Sequence, residues 1–422
     1  MTRLERGLGP AIELGLEAMP VVVVEGGRAV GKSTLCQLLA ARHGWSDLVD
    51  LSDPGTLELV RLDAERLLSD LGSTVVIDEA QLEPSLLLAI KRIVDRRAGV
   101  PGQFLLTGSA RLGRSQLGGS DPLAGRCTRV RLWSLTEGER RGHPTPLAAT
   151  LFAGDAPFEP GHERPRSTGE PWWRGALPAI PGVLRDADGG TWERAMATYV
   201  ESVLPLGTAG SRADLGRLLR TFRYLAANPG QQLVMSRAAS ELGMKADTVR
   251  SHIEALDAAF LLTTAQAHRP SEHKVLTAHP RTFACDTGLA AWAMGLGSRP
   301  PTPLERGSLM ENRVAIELAA TLDWTSSRIV LRHWRDRRSK KEVDLLLVHA
   351  DGRAVPIEVK SANAVGPADA AGLSAFAAEN RDRFHRGFVV YDGNRVLDLS
   401  PSHLPNRSIL AVPFDTLVAE PR

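Results

Sequence analysis

The run Val21-Val22-Val23-Val24-Glu25-Gly26-Gly27-Arg28-Ala29-Val30-Gly31-Lys32-Ser33-Thr34 decides the fold. Four consecutive valines predict a buried strand of a parallel sheet, because β-branched side chains suit a pleated surface covered on both faces. Gly26 to Ser33 then fits G-x-x-x-x-G-K-[ST] without a mismatch, and Ser33 to Arg42 reads as the helix that follows. Glycines at both ends let the backbone curl until its N–H groups point inward, and the helix N-terminus adds its positive end. Such a loop cradles the phosphates of a nucleoside triphosphate. Gly26, Gly27, Arg28, Ala29, Val30, Gly31 and Thr34 are the expected lining. Lys32 is expected to neutralise the β- and γ-phosphates, and Ser33 to ligate Mg²⁺.

Two further apolar runs, Thr74 to Ile77 and Gln103 to Thr107, alternate with a helical stretch from Leu86 to Arg97, where Leu86, Ile90, Ile93 and Val94 share one face. That alternation builds a parallel sheet covered by helices. The first of these runs ends in Asp78-Glu79. Asp78 is placed to hold the Mg²⁺ shell, and Glu79 to orient or deprotonate an attacking water. The second ends in Thr107-Gly108-Ser109, where Ser109 is placed to sense the γ-phosphate or hold that water. Hydrolysis of ATP is therefore preferred over binding alone.

Val75-Val76-Ile77-Asp78-Glu79-Ala80-Gln81, Leu105-Leu106-Thr107-Gly108-Ser109 and Leu123-Ala124-Gly125-Arg126 together resemble a widespread bacterial and archaeal AAA+ ATPase family. In that family the ATPase is fused to a C-terminal domain of unknown function, and the resemblance covers nearly the whole chain. It implies that Ser109 lies in the sensor region and that Arg126 is a charge acting on the γ-phosphate of its own or a neighbouring subunit. Arg111 and Arg114 are rivals for that role. Where the family commonly carries an Arg-Asp pair near the start of the helical segment, this chain has Glu201-Ser202.

At 422 residues the chain exceeds one ordinary core, and two to four domains are expected. Its 43% hydrophobic and 24% charged content is that of a soluble globular protein, and no apolar run approaches the roughly 20 residues that span a bilayer. The mixed charges of Met1 to Arg6 lead into no signal-type stretch, so a cytoplasmic protein without membrane contact is expected. Cys36, Cys127 and Cys285 are too scattered for a disulfide framework or a metal knot. A net charge of +2 decides nothing about nucleic acid, which depends on local clusters.

The expected architecture is α/β: a P-loop AAA+ domain over 1–140, a Pro/Gly-rich connection over 141–190, a helical winged-helix middle over 191–300 and a C-terminal α/β restriction-endonuclease-like domain over 301–422. In the middle, helices at Leu215 to Ala227, Ser236 to Leu242 and Lys245 to Phe260 have helix-turn-helix spacing, with a wing strand starting near Thr263. Lys245, Thr248, Arg250 and Ser251 then face phosphates or base edges; the same unit serves equally well as a rigid spacer.

The last unit orders Glu311 on a helix, Glu342-Val343-Asp344 opening a strand and Glu358-Val359-Lys360 closing the next, which looks like the PD-(D/E)xK nuclease fold. There Asp344, Glu358 and Glu311 would hold Mg²⁺ and Lys360 would position or activate water. Beside Asp344, residues 332–341 hold six Lys or Arg in ten, a hairpin suited to a phosphate backbone or simply a solvated loop. The expected function is a Mg²⁺-dependent, oligomeric ATPase acting on DNA in recombination, repair or defence. The alternative is a nucleotide-controlled signalling switch whose C-terminal domain only docks partners.

Overall fold

Thirteen strands and fourteen helices are described in a computed structural model covering residues 4–45, 47–69, 71–72, 74–112, 121–153, 158–164, 171–180, 184, 186–208, 214–268, 278–336, 340–405 and 407–419. The N-terminal sheet contains β1 (Val21–Glu25), β2 (Leu48–Asp50), β3 (Val75–Asp78), β4 (Phe104–Gly108) and β5 (Cys127–Arg131). All pairings are parallel, in the order β2-β3-β4-β1-β5. Around it lie α1 (Gly9–Ala18), α2 (Lys32–His43), α3 (Pro54–Ser69) and α4 (Leu86–Arg96). Val21 to Val24 are fully buried because alternate valines feed two cores: Val22 and Val24 join one cluster, Val21 and Val23 the other. On α4 the predicted face, Leu86, Ile90, Ile93 and Val94, is the one that packs.

Two short helices, α5 (Glu137–Arg140) and α6 (Leu147–Thr150), lead out of this sheet. The segment expected to be a mere connection carries core residues. Leu147, Leu151, Phe152 and Phe158 are buried in the C-terminal core, where Phe158 meets Phe388 edge-on with ring centres 5.9 Å apart. Proline and glycine suppress regular elements there, so periodicity gives no signal of burial.

The middle unit comprises α7 (Gly189–Val203), α8 (Leu215–Ala226), α9 (Met235–Leu242) and α10 (Ala246–Ala258), followed by the antiparallel pair β6 (Leu262–Ala267) and β7 (Arg281–Ala284) and by α11 (Thr287–Ala293). Gly243 ends α9 in the left-handed conformation (φ 64°), which produces the tight turn into α10. The C-terminal unit follows with α12 (Pro303–Ala320), β8 (Ile329–Arg335), β9 (Glu342–His349), β10 (Ala354–Lys360), α13 (Ala371–Glu379), β11 (Gly387–Tyr391), β12 (Leu397–Asp398), β13 (Ile409–Pro413) and α14 (Phe414–Leu417). Its sheet does not stop at the expected boundary near residue 300. β6 pairs with β8, so the sheet runs β12-β13-β11-β10-β9-β8-β6-β7 and the hairpin of the middle unit completes it. Among the described residues, no helix is long and apolar enough to cross a membrane.

Candidate functional site

At the C-terminal edges of β1, β3 and β4 the chain places a cationic loop beside two carboxylates. The loop leaves β1 at Gly26, whose lack of a side chain is required: a Cβ there would stand 2.2 Å from the Leu132 carbonyl oxygen. It enters α2 through Gly31 at φ 99°, a left-handed geometry that a side chain would strain. Lys32 is buried and its Nζ donates to the carbonyls of Gly26 (3.1 Å) and Gly27 (2.9 Å) and to Ser109 Oγ (2.9 Å). Burial lowers its ammonium to about 8, partly offset by Glu79 and Asp78. Ser33 is half-buried in the first turn of α2, while Arg28, Ala29 and Thr34 are exposed at the loop surface and Val30 packs beneath it.

The carboxylates are fixed by hydroxyl groups of β4. The Thr107 hydroxyl donates to Asp78 Oδ1 and accepts from the Glu79 N–H at 3.0 Å. Ser109 Oγ, which accepts from Lys32, donates in turn to Glu79 Oε1 at 3.0 Å. Gln81 closes the ring, with its amide nitrogen donating to Glu79 Oε2 and its oxygen accepting from the Ser109 N–H at 3.1 Å. Glu79 sits at φ 54°, a left-handed position uncommon for a side-chain-bearing residue and found at sites that over-determine it. Lys32, Asp78, Glu79 and Ser109 are thus brought together as the motifs predict. Gln81, the last residue of the run that carries the family resemblance, is an addition to the expected site.

The middle unit touches the same loop. Tyr199 of α7 donates its hydroxyl to the Arg28 carbonyl at 3.1 Å. Arg111, just beyond Ser109, pairs with Asp257 of α10 at 2.5 Å. Arg126 is elsewhere. Its guanidinium grips Asp95 of α4 through two bonds (2.6 and 3.1 Å) at the start of β5, the sheet edge opposite the loop. Arg114 lies outside the described residues.

A second cluster forms in the C-terminal unit, at the residues expected to hold Mg²⁺. Glu311, Asp344 and Glu358 do converge, with Asp344 Oδ2 accepting from the Val359 N–H at 3.0 Å and Lys360 Nζ paired to Glu358 Oε1 at 2.8 Å. The cation among them is Arg281 of β7, at 2.7 Å from Glu311 Oε1 and 3.2 Å from Asp344 Oδ1. Among the described residues no group of three or more His, Cys, Asp or Glu is arranged to hold a metal ion. Burial, then the neighbouring Asp344, pushes Glu311 above the usual carboxylate range, while Arg281 pulls it back. In the basic hairpin, Arg335, Lys340 and Lys341 are exposed, but His333 and Trp334 are core, Trp334 edge-on to Phe376. Residues 337–339 lie outside the described set.

Residues 18–140 match a family model described as an AAA domain, residues 168–300 a domain of unknown function (DUF8612) and residues 306–413 another (DUF4143). Two uncharacterized proteins, of Mycobacterium bovis and Mycobacterium tuberculosis, are each 27% identical over 98% of this chain and 84% of their own length. Among solved structures, a Walker-type ATPase of Pyrococcus abyssi aligns at 16% identity over 68% of this chain and 94% of its own, with a TM-score of 0.35. DnaA of Aquifex aeolicus bound to AMPPCP aligns at 12% over 59% and 85%, with a TM-score of 0.26. The last two scores are too low to carry an argument. The phosphate loop, the all-parallel strand order and the matched segment agree: the N-terminal unit is an AAA-type P-loop ATPase domain.

Proposed function

We propose that the chain is a Mg²⁺-dependent ATPase of the AAA+ type that acts on DNA as a ring or other oligomer, in the cytoplasm, in recombination, repair or defence. The observation that carries hydrolysis is the closed ring Ser109–Glu79–Gln81 with Lys32 bonded to its Ser109, which ties the loop cation to a carboxylate held ready for water. Lys32 binds the β- and γ-phosphates, Ser33 and Asp78 hold Mg²⁺, and Glu79 orients the attacking water or takes its proton. Bound Mg²⁺ neutralises charge that builds on the phosphoryl oxygens. Ser109 lies between lysine and carboxylate, which suits it to register the γ-phosphate.

The nucleotide itself supplies a test. Phosphate binding favours charged Lys32, so ATP affinity is full below pH 8 and falls as the free protein's lysine deprotonates above it. Between pH 7 and pH 9 the Kd for ATP is expected to rise about tenfold, since each unit past the free pKa costs about one factor of ten. A flat profile measured with a fluorescent ATP analogue would remove Lys32 Nζ from the phosphate-binding role.

For DNA, α8, α9 and α10 with the β6–β7 hairpin are read as a winged helix. Lys245 at the N-cap of α10 and Arg250 and Ser251 within it are exposed, and Arg111–Asp257 connects α10 to the segment just beyond Ser109. The C-terminal unit is read as PD-(D/E)xK-like, with Arg335, Lys340 and Lys341 beside it as phosphate contacts. Duplex or branched DNA is expected to stimulate ATP turnover in a salt-sensitive manner, with a slope of about 0.9 in log affinity against log salt per phosphate contact. Changing Arg250, Arg335, Lys340 and Lys341 to Gln should weaken DNA binding and lower that slope while ATP binding survives. Unchanged affinity and slope would reject DNA as the partner. The signalling-switch reading would then take over, and one observation favours it for the C-terminal unit: Arg281 pairs with two of the acids, Glu311 and Asp344, that a nuclease reading assigns to its metal.

A further inference from the structure

We infer that Arg281 is the permanent counter-ion of the C-terminal carboxylate centre, a guanidinium that takes the place of the metal ion and turns a nuclease-like site into a lock between the middle and C-terminal units. Arg281 opens β7 in the middle unit, whereas Glu311, Glu342 and Asp344 belong to α12 and β9. One nitrogen, Nη1, reaches both Glu311 and Asp344, and Nη2 lies 3.3 Å from Glu342 Oε2. The side chain is only 6% exposed. A guanidinium in that position bridges two carboxylates at once and offsets half of their combined charge, occupying the place between the acids that a divalent cation would take at such a centre.

The cover over the centre comes from the same middle unit. Gly230, in the turn after α8, has φ 79° and donates its N–H to the Thr282 carbonyl at 2.9 Å. A Cβ on Gly230 would stand 2.4 Å from the Glu311 carboxylate, so backbone presses directly on the acid. Arginine and glycine turn therefore close the centre from one side, joined to each other through the Gly230–Thr282 hydrogen bond. Removing the arginine alone would strand two half-buried acids, an arrangement that either protonates or recruits another cation.

The inference rests on the nuclease-like reading of the C-terminal unit and not on ATP hydrolysis, because its test uses nucleotide-free protein. Mn²⁺ would be titrated calorimetrically into the wild-type chain, Asp344→Asn, Arg281→Met and the double variant, with folding checked by circular dichroism. Methionine keeps the apolar stem and removes the charge. The wild type should take up no Mn²⁺ that Asp344→Asn abolishes, and Arg281→Met should gain one site, at least about tenfold tighter than any wild-type uptake, that the double variant loses. A wild-type site lost in Asp344→Asn overturns the inference. So does a folded Arg281→Met protein that gains none. Should Arg281→Met fail to fold, the wild-type and Asp344→Asn pair decides alone: equal Mn²⁺ uptake upholds the closed centre, and wild-type excess rejects it.

Discussion

Lys32→Ala is expected to lose tight ATP binding, whereas Glu79→Gln is expected to keep ATP bound and stop turning it over. The two outcomes differ because the residues share a network but not a task. Lys32 supplies the buried cation of the loop, held between the Gly26 and Gly27 carbonyls and Ser109. Truncating one partner of a buried charge interaction typically costs about 2–5 kcal/mol, so an affinity loss of roughly 30-fold to several thousand-fold is expected. Glutamine at 79 still accepts from Ser109 through its amide oxygen, so the loop and its phosphate contacts survive. What it lacks is a basic oxygen for water, and general-base loss lowers kcat by about 10² to 10⁴. Calorimetry with a non-hydrolysable analogue and phosphate release with ATP read the two effects separately. Wild-type turnover in Glu79→Gln would take the water-activating role away from that residue.

The phosphate site was legible because its chemistry is local. A strand, a glycine-rich turn and a helix lie within one continuous segment, and Asp78-Glu79 marks its strand end without reference to distant residues. Periodicity also placed α4 and α10 within two residues of their ends. The C-terminal centre was half legible. Its acids were found from the order Glu311, Asp344, Glu358, Lys360, but the cation came from β7, thirty residues before Glu311, on an element whose sequence predicts only a wing. No pattern within a single segment announces that a side chain will cross a domain boundary. The same limit hid Tyr199, which reaches the Arg28 carbonyl from α7, and the buried Phe152 and Phe158, which lie where proline and glycine erase the period. Sequence reads contacts inside an element well and contacts between elements poorly, because register and twist decide the latter.

If Arg126 acts on a γ-phosphate, the sheet geometry directs it to the ATP of a neighbouring subunit rather than to its own. β5 runs parallel to β1 with Val21 opposite Cys127 and Glu25 opposite Arg131. Arg126 therefore lies about five residues, or roughly 16 Å at 3.3 Å per residue, below the edge that carries the loop. Its side chain turns to Asp95 rather than toward that edge. Arg111 lies near Ser109 and is the rival for action within one subunit, although it is engaged by Asp257. An arginine that stabilises the charge of phosphoryl transfer is worth about 10³ to 10⁵ in kcat, so Arg126→Ala should be nearly inactive alone. Lys32→Ala should be inactive for its own reason. In a head-to-tail ring an equal mixture places an intact Lys32 against an intact Arg126 at about one interface in four, so mixing should restore up to about a quarter of wild-type turnover. Native mass spectrometry would first establish that the oligomers are mixed. No rescue in such oligomers would reject the trans role and direct the search to Arg111, whose alanine variant should then be the inactive one whatever its neighbours carry.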